Sequence, residues 1–187
     1  METTEVKILS KDRVYDGYFK VDKYTIQSGN EKPFTREVFE RGNSVAALVY
    51  DRIKNCFVLT DQYRMGAQKE LLEIVAGSMD KDGESPEETI KREMVEEIGY
   101  EFDESAGDSI IPIGSAYVSP GGTSEHVHIF FVNVHKKISE GGGVENENIK
   151  IVNYPVEEIF PIGLAYNDLK TAYAIQWFFA VYKKGKI

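Results

Sequence analysis

Three glutamates lie close together in the segment Arg92-Glu93-Met94-Val95-Glu96-Glu97. Glu93, Glu96 and Glu97 have the spacing i, i+3 and i+4, and side chains with this spacing are neighbours on an α-helix. Three carboxylates on one stripe repel one another, and a hard divalent cation between their oxygens removes that repulsion. Mg²⁺ prefers oxygen ligands and often bridges carboxylates to substrate phosphates. The spacing therefore indicates a magnesium site, although a solvated acidic helix face explains it equally well.

The helix that must carry these glutamates has a well-marked beginning and end. Ser85 can cap it, Pro86 suits the first helical position, and Glu88 completes the Ser-x-x-Glu capping pattern. An apolar residue then recurs at every fourth position, at Ile90, Met94 and Ile98. Gly99 is a typical helix stop. The sequence therefore predicts a helix whose acidic stripe lies beside a buried one.

The rest of the chain shows the patterns of short strands. Residues 5–40 alternate apolar and polar side chains between turn residues, which is typical of a small antiparallel β unit. From residue 44 the apolar runs lengthen, and we expect strands at 45–50, 56–60, 71–75, 109–118, 127–134 and 149–154. Asn167 or Asp168 can cap a last helix that continues through Tyr182. These elements predict an α+β fold, an α/β/α sandwich with a mixed sheet between helices.

The composition limits the classes of protein that fit. The chain has 187 residues, with 22 Lys and Arg against 31 Asp and Glu, and its net charge is −9. This length predicts one domain, residues 43–187, with a small appendage, residues 1–42. An acidic surface repels nucleic acid, the longest apolar stretch is too short for a membrane span, and no secretory signal is visible. We therefore expect a cytoplasmic protein that needs a metal to hold any anionic ligand.

The glutamate helix and the loop before it resemble a known family signature. Gly77, Glu84 and the segment Arg92-Glu93-Met94-Val95-Glu96-Glu97-Ile98-Gly99-Tyr100 are similar to the sequence box of the Nudix hydrolases. One spacing differs, because six residues instead of five separate Gly77 from Glu84. The extra residue lies in a loop, where added length costs little free energy. The number of residues between Glu84 and Arg92 is the same as in the family box.

Four further segments resemble the ADP-ribose and nucleoside diphosphate sugar pyrophosphatases of that family, namely 36–42, 72–77, 119–125 and 143–149. The resemblance implies the Nudix fold for the larger domain and a homodimer that exchanges the amino-terminal β unit. It implies hydrolysis of ADP-ribose to AMP and ribose 5-phosphate. GDP-mannose, or another nucleoside diphosphate sugar, is the alternative substrate. A sensor that binds a nucleotide sugar without cleaving it is a third, less favoured interpretation.

The resemblance also implies a metal site and a catalytic base. Mg²⁺, with Mn²⁺ as an alternative, would be held by the carbonyl of Ala76 and by Glu93, Glu96, Glu97 and Glu147. Arg92 would orient the glutamates for catalysis. Glu145 would be the base that activates water, and Glu125 is its rival. Residues 141–143 are three glycines, which make a chain mobile, as a lid over bound substrate requires. An ordinary flexible acidic loop is the plainer interpretation.

Four residues are implied in binding the substrate. Arg36 and Arg64 match positions that contact the diphosphate or the sugar phosphate, and a guanidinium fork suits phosphate oxygens. Tyr18 matches an aromatic residue that stacks on the nucleobase across the dimer, and Glu37 lies near it in the family. A surface ion pair between Arg36 and Glu37, and strand packing of Tyr18, are the alternative roles.

Overall fold

The alternating segments near the amino terminus form a three-stranded antiparallel sheet in a computed structural model, which describes residues 5–144, 148–162 and 166–185. Its strands are, in order, β1 (Val6–Asp16), β2 (Lys20–Ser28) and β3 (Phe34–Glu40). Asp22 of β2 is 1% exposed and pairs with Lys11 and Arg13 of β1. These ion pairs tie the exposed strand β1 to the sheet. The predicted antiparallel β unit is confirmed.

The chain divides into two compact units. The first unit contains residues 1–43 and 116–127, and the second contains residues 44–115 and 128–187. The remaining strands are β4 (Asn43–Asp51), β5 (Cys56–Arg64), β6 (Lys69–Glu73), β7 (Val75–Ser78), β8 (Tyr100–Glu101), β9 (Ser109–Tyr117), β10 (His126–Val134), β11 (Lys136–Lys137) and β12 (Lys150–Pro155). Seven of them form one sheet in the order β12-β5-β4-β10-β9, with β6 paired to β5 and β7 paired to β4. Strands β8 and β11 form a separate pair.

Three α-helices lie in the described part of the chain, α1 (Pro86–Glu93), α2 (Val156–Ile162) and α3 (Leu169–Trp177). Helix α1 begins as predicted, because the Ser85 hydroxyl accepts the Glu88 N–H at 3.3 Å and the Glu88 carboxylate accepts the Ser85 N–H at 2.8 Å. It continues as a π-helical turn, Met94–Ile98, and ends at Gly99 with φ 75°. None of the described helices is long and apolar enough to cross a membrane.

The seven-stranded sheet is packed by helices on both faces. Successive strand residues point to opposite faces, and in β5 Val58 packs in the cluster that holds the apolar stripe of α1. The neighbouring Phe57 contacts Phe178, which follows α3, with ring centroids 4.8 Å apart. The predicted α+β sandwich with a mixed sheet between helices is therefore confirmed.

Two local predictions differ from the structure. Helix α2 was not predicted, because it is short, follows Pro155 and contains Pro161, and prolines usually mark turns. Residues 71–75 were predicted as one strand, but the chain changes partner within them, from β5 to β4. At the change the Ile74 N–H leaves the sheet and donates to the Thr171 hydroxyl at 2.9 Å. The other predicted strands and the last helix are confirmed, with shifts at their ends.

Candidate active site

The glutamates of the helix face strand β7. A Cβ atom on Gly77 would lie only 2.1 Å from Cδ of Glu93, so the Glu93 side chain covers the backbone of this glycine. One turn further on, a carboxylate oxygen of Glu97 accepts the Ala76 N–H at 3.2 Å. Glu97 is 4% exposed. A fully solvated acidic face does not fit this burial, because the Glu97 carboxylate lies against main chain rather than in water.

Arg92 joins the other carboxylates of this site. Its Nη1 donates to Glu93 at 2.7 Å and to Glu96 at 2.9 Å, and its Nε and Nη2 each donate to Glu84 at 3.2 Å. The hydrogen bond from Arg92 lowers the pKa of Glu84, and the hydrogen bond to Glu84 raises the pKa of Arg92. Glu84 thus reaches Arg92 despite the extra residue in the preceding loop. Arg92 is therefore bonded to three of the glutamates in this part of the chain.

The donor atoms suit a hard divalent cation. The three glutamates and the main chain of Ala76 offer oxygen atoms, which are the ligands that Mg²⁺ prefers. Within the described ranges, no three acidic, histidine or cysteine side chains are already arranged as a metal site. The carboxylates are instead hydrogen-bonded to protein donors, since Arg92 is bonded to Glu93 and Glu96 and the Ala76 N–H is bonded to Glu97. A bound cation would have to take over these oxygens.

Arg64 is held by a buried carboxylate that the sequence reasoning missed. Both of its bonded nitrogens donate to Glu73, at 2.8 and 2.9 Å, and the Glu73 side chain is 2% exposed. Lys170 of α3 donates to the same carboxylate. Burial favours a raised pKa for Glu73, but the bonds from Arg64 and Lys170 outweigh it and hold the pKa below its usual value. The available signal was a single charge, Glu73, inside the apolar run 71–75.

Residues implied in substrate binding also occur in the first unit. Tyr18 is 94% exposed in the turn between β1 and β2, so strand packing does not explain it. The Arg36 guanidinium lies over the Phe34 ring, 4.7 Å from its centroid, and donates to the carbonyl of Thr35. Glu37, its neighbour in β3, is exposed.

Of the two candidates for the catalytic base, only Glu125 lies in the described part of the chain. Glu125 also belongs to the first unit, and its carboxylate lies 3.7 Å from Nε of Arg41. Glu145 and Glu147 lie outside the described residues. Residues 141–143, which lead into them, are described, and all three glycines have positive φ.

A mixed sheet between helices, with a glutamate-bearing helix packed against a glycine of a neighbouring strand, is the arrangement expected of a Nudix hydrolase. The model of the NUDIX domain matches residues 40–178, and the chain belongs to the Nudix family. The family resemblance and the hydrolase class inferred from the sequence are thereby confirmed. Nudix hydrolases generally use a divalent metal.

Individual relatives agree with this assignment. The GDP-mannose pyrophosphatase of Yersinia enterocolitica is 36% identical over 170 residues, which is 84% of this chain and 83% of that protein. The GDP-mannose pyrophosphatase of Pectobacterium atrosepticum is 33% identical over 168 residues, covering 83% of each chain. The crystal structure of an ADP compounds hydrolase superposes over 100% of both chains with a TM-score of 0.81 at 19% identity, which shows the shared fold.

Proposed function

We propose that this chain hydrolyses the diphosphate linkage of a nucleoside diphosphate sugar. GDP-mannose is the first candidate substrate, and ADP-ribose, which the resemblance of the sequence placed first, is the second. The relatives named GDP-mannose pyrophosphatase support this order, because their sequences are 33–36% identical to this chain over 83–84% of its length. The ADP compounds hydrolase supports the fold alone at 19% identity.

The observation that carries the proposal is the packing of Glu93 and Glu97 against strand β7. With Glu96 and the Ala76 carbonyl, these residues would hold Mg²⁺, or Mn²⁺ in its place. Glu147 is a further proposed ligand by resemblance to the family. A bound divalent cation neutralises phosphate charge and lowers the pKa of a bound water.

The chain's own residues supply orientation and proton transfer. Arg92 keeps Glu93 and Glu96 in place. Arg64, whose Nε and Nη2 are bonded to Glu73, can donate its remaining N–H groups to a phosphate of the substrate. Glu145 is the proposed base that takes a proton from the attacking water, and Glu125 is the alternative. Water attack on one phosphorus then breaks the anhydride bond and gives a nucleoside monophosphate and a sugar phosphate.

The nucleobase site is proposed to include Tyr18 of a second copy of the chain, with Glu37 near it, and Arg36 is proposed to contact a phosphate of the substrate. Exposed apolar side chains on β1 support a homodimer, since an interface would remove their apolar surface from water. They are Val6, Ile8, Leu9, Val14 and Tyr15, each more than 50% exposed. The exchange of residues 1–42 in this dimer, a cytoplasmic location, and the absence of nucleic-acid and membrane partners stay predictions.

The test is a substrate panel with the purified full chain and Mg²⁺. The panel contains GDP-mannose, ADP-ribose, UDP-glucose, a dinucleoside polyphosphate and a nucleoside triphosphate, and the products are separated and weighed by mass spectrometry. We expect GMP and mannose 1-phosphate from GDP-mannose at the highest kcat/KM. Preference for the triphosphate, or tight binding without any product, would contradict the proposal.

A pair of variants of one helix tests the site. Glu97→Gln should lower kcat by roughly 10²–10⁴-fold, the usual effect of losing a key acid–base or metal group. Glu87→Gln removes the same charge from the exposed first turn of α1 and should leave kcat unchanged. If the two folded variants have equal activity, the proposed role of Glu97 in catalysis is wrong.

A further inference from the structure

The end of the glutamate helix is bound by a distant segment of the chain. The last carbonyl groups of any helix have no partner within it. Here the Gly142 N–H donates to the Glu97 carbonyl at 2.8 Å, and the Gly143 N–H donates to the Glu96 carbonyl at 3.0 Å. We call residues 138–143 the glycine strap. The strap therefore bonds to the main chain of the same two residues whose carboxylates point toward β7 and Arg92.

The other end of the strap is bonded to the residue that ends the helix. The N–H groups of Ile138 and Ser139 both donate to the Gly99 carbonyl, at 2.7 and 3.2 Å. Counting both ends, four N–H groups of the strap are bonded to residues 96–99. Two consecutive donors at each end fix both the distance and the direction of the strap along this turn.

Glycine is required for this close approach. A Cβ on Gly141 would lie 2.6 Å from the Glu97 carbonyl oxygen, and a Cβ on Gly99 would lie 2.0 Å from the Ser139 carbonyl oxygen. Gly141 and Gly142 also have φ values of 68° and 109°, which residues with a side chain rarely adopt. The glycines thus permit contact with the helix, whereas the sequence alone favoured mobility.

Gly142 also links the helix to the sheet. Its carbonyl accepts the Ile149 N–H at 3.4 Å, while its own N–H is bonded to Glu97. Ile149 is 7% exposed and directly precedes β12, which pairs with β5. The turn that carries Glu96 and Glu97 is therefore connected through one glycine to a strand of the central sheet.

We propose that the glycine strap is a positioning element for the metal-binding turn. By satisfying the main-chain carbonyls of Glu96 and Glu97, the strap keeps a π-helical turn in place and holds the two carboxylates where a cation is bound. Turns of this kind are frequent at functional sites. This inference rests on the proposed metal role of Glu97, and it assigns the strap itself no contact with the substrate.

The test compares two glycine-to-alanine variants of the full chain. Gly141→Ala places a methyl group against the Glu97 carbonyl, whereas Gly107→Ala has a similar φ of 84° and no heavy atom within 4 Å. Both variants therefore carry the strain of a left-handed alanine, and only Gly141→Ala moves the strap. The first readout is Mn²⁺ binding without substrate, measured by electron paramagnetic resonance of the free ion.

We expect Gly141→Ala to weaken Mn²⁺ binding by roughly 10–100-fold, the usual cost of disturbing residues that orient metal ligands. Gly107→Ala should bind Mn²⁺ as the wild type does. Equal Mn²⁺ affinity of Gly141→Ala and the wild type would overturn the role of the strap. Unchanged affinity in Glu97→Gln would overturn the metal role of Glu97 and the strap proposal with it. If the chain hydrolyses none of the substrates in the panel, the proposed function is wrong, but the Mn²⁺ affinities of the variants still test the role of the strap.

Amide hydrogen exchange of the wild type gives a second measurement, which does not depend on a variant that folds. If the strap and the cation stabilise the same turn, Mg²⁺ must slow exchange at Gly142 and Gly143, because coupling between two sites is reciprocal. The Gly107 amide is the internal control and should not respond. Exchange at Gly142 and Gly143 that does not change at saturating Mg²⁺ would contradict the proposal.

Discussion

Replacing Gly77 by alanine tests whether the close contact between β7 and the helix matters for catalysis. Gly77 does not have a positive φ, so alanine fits its backbone without strain. The added Cβ, however, would lie 2.1 Å from Cδ, 2.2 Å from Oε1 and 2.5 Å from Cγ of Glu93. Because Cγ is included, a rotation of the carboxylate alone cannot relieve the contact. The whole Glu93 side chain has to move.

The size of the effect follows from these distances. Ordinary van der Waals contacts of a Cβ begin at 3.4 Å, so Cδ of Glu93 must shift by about 1 Å or more. Misplacing a group in a site by about 1 Å can cost about 10²-fold in rate. Only 12% of the Glu93 side chain is exposed, so moving it disturbs packing, and the free energy of unfolding should fall by about 1–3 kcal/mol. We expect a loss of kcat larger than this loss of stability can explain.

The assay measures kcat on GDP-mannose together with urea unfolding for three proteins. They are the wild type, Gly77→Ala and the control Gly66→Ala, whose Cβ would have no heavy atom within 4 Å. Gly66→Ala should match the wild type in both measurements. The reasoning is refuted if Gly77→Ala keeps the wild-type kcat, or if its lower activity is fully explained by unfolding.

The remaining predictions concern Glu73 and Tyr18. Glu73→Gln should lower the free energy of unfolding at pH 7 by about 2–3 kcal/mol, because Arg64 and Lys170 lose a buried counter-charge, and urea titration measures this. The folded-state pKa of Glu73 lies below its usual 4.5, so the wild type should lose this advantage as the pH falls below about 4.5, and a constant gap would contradict it. Tyr18→Ala should raise KM by roughly 10-fold with little change in kcat if Tyr18 stacks on a base. Tyr173, which is 45% exposed on α3, provides the control variant, and equal KM values of the two variants would refute the role of Tyr18.

Local signals in the sequence predicted most of the fold. The capping residues Ser85 and Glu88 predicted where α1 begins, because the bonds that start a helix are made between residues three apart. The alternation of apolar and polar residues predicted the strands of the amino-terminal sheet, because this pattern is also local in the sequence. The exchange of partners at Ile74 could not be predicted, because it depends on Thr171, which is remote in the chain. Pairing of distant segments leaves no periodic signal in either of them.

The same division applies to the active site. Helical spacing predicted that Glu93, Glu96 and Glu97 share one stripe, and the structure places them between β7 and Arg92. The ion pair of Arg64 with Glu73 was not predicted, because it joins two strands whose register the sequence does not reveal. A charge within an apolar run indicates a buried partner, but it does not indicate which residue that partner is.

Glycines show most clearly what the sequence leaves undetermined. Three like charges on one helix repel one another, so their positions must be fixed by something other than their own packing. In the structure, Gly77 admits the Glu93 side chain, Gly99 admits the Ser139 carbonyl, and Gly141 admits the Glu97 carbonyl. Each of these glycines removes a side chain at a point where another part of the chain approaches the glutamate helix. The acidic stripe is therefore held by main chain on several sides, and the glycines that allow this are as much a part of the site as the glutamates.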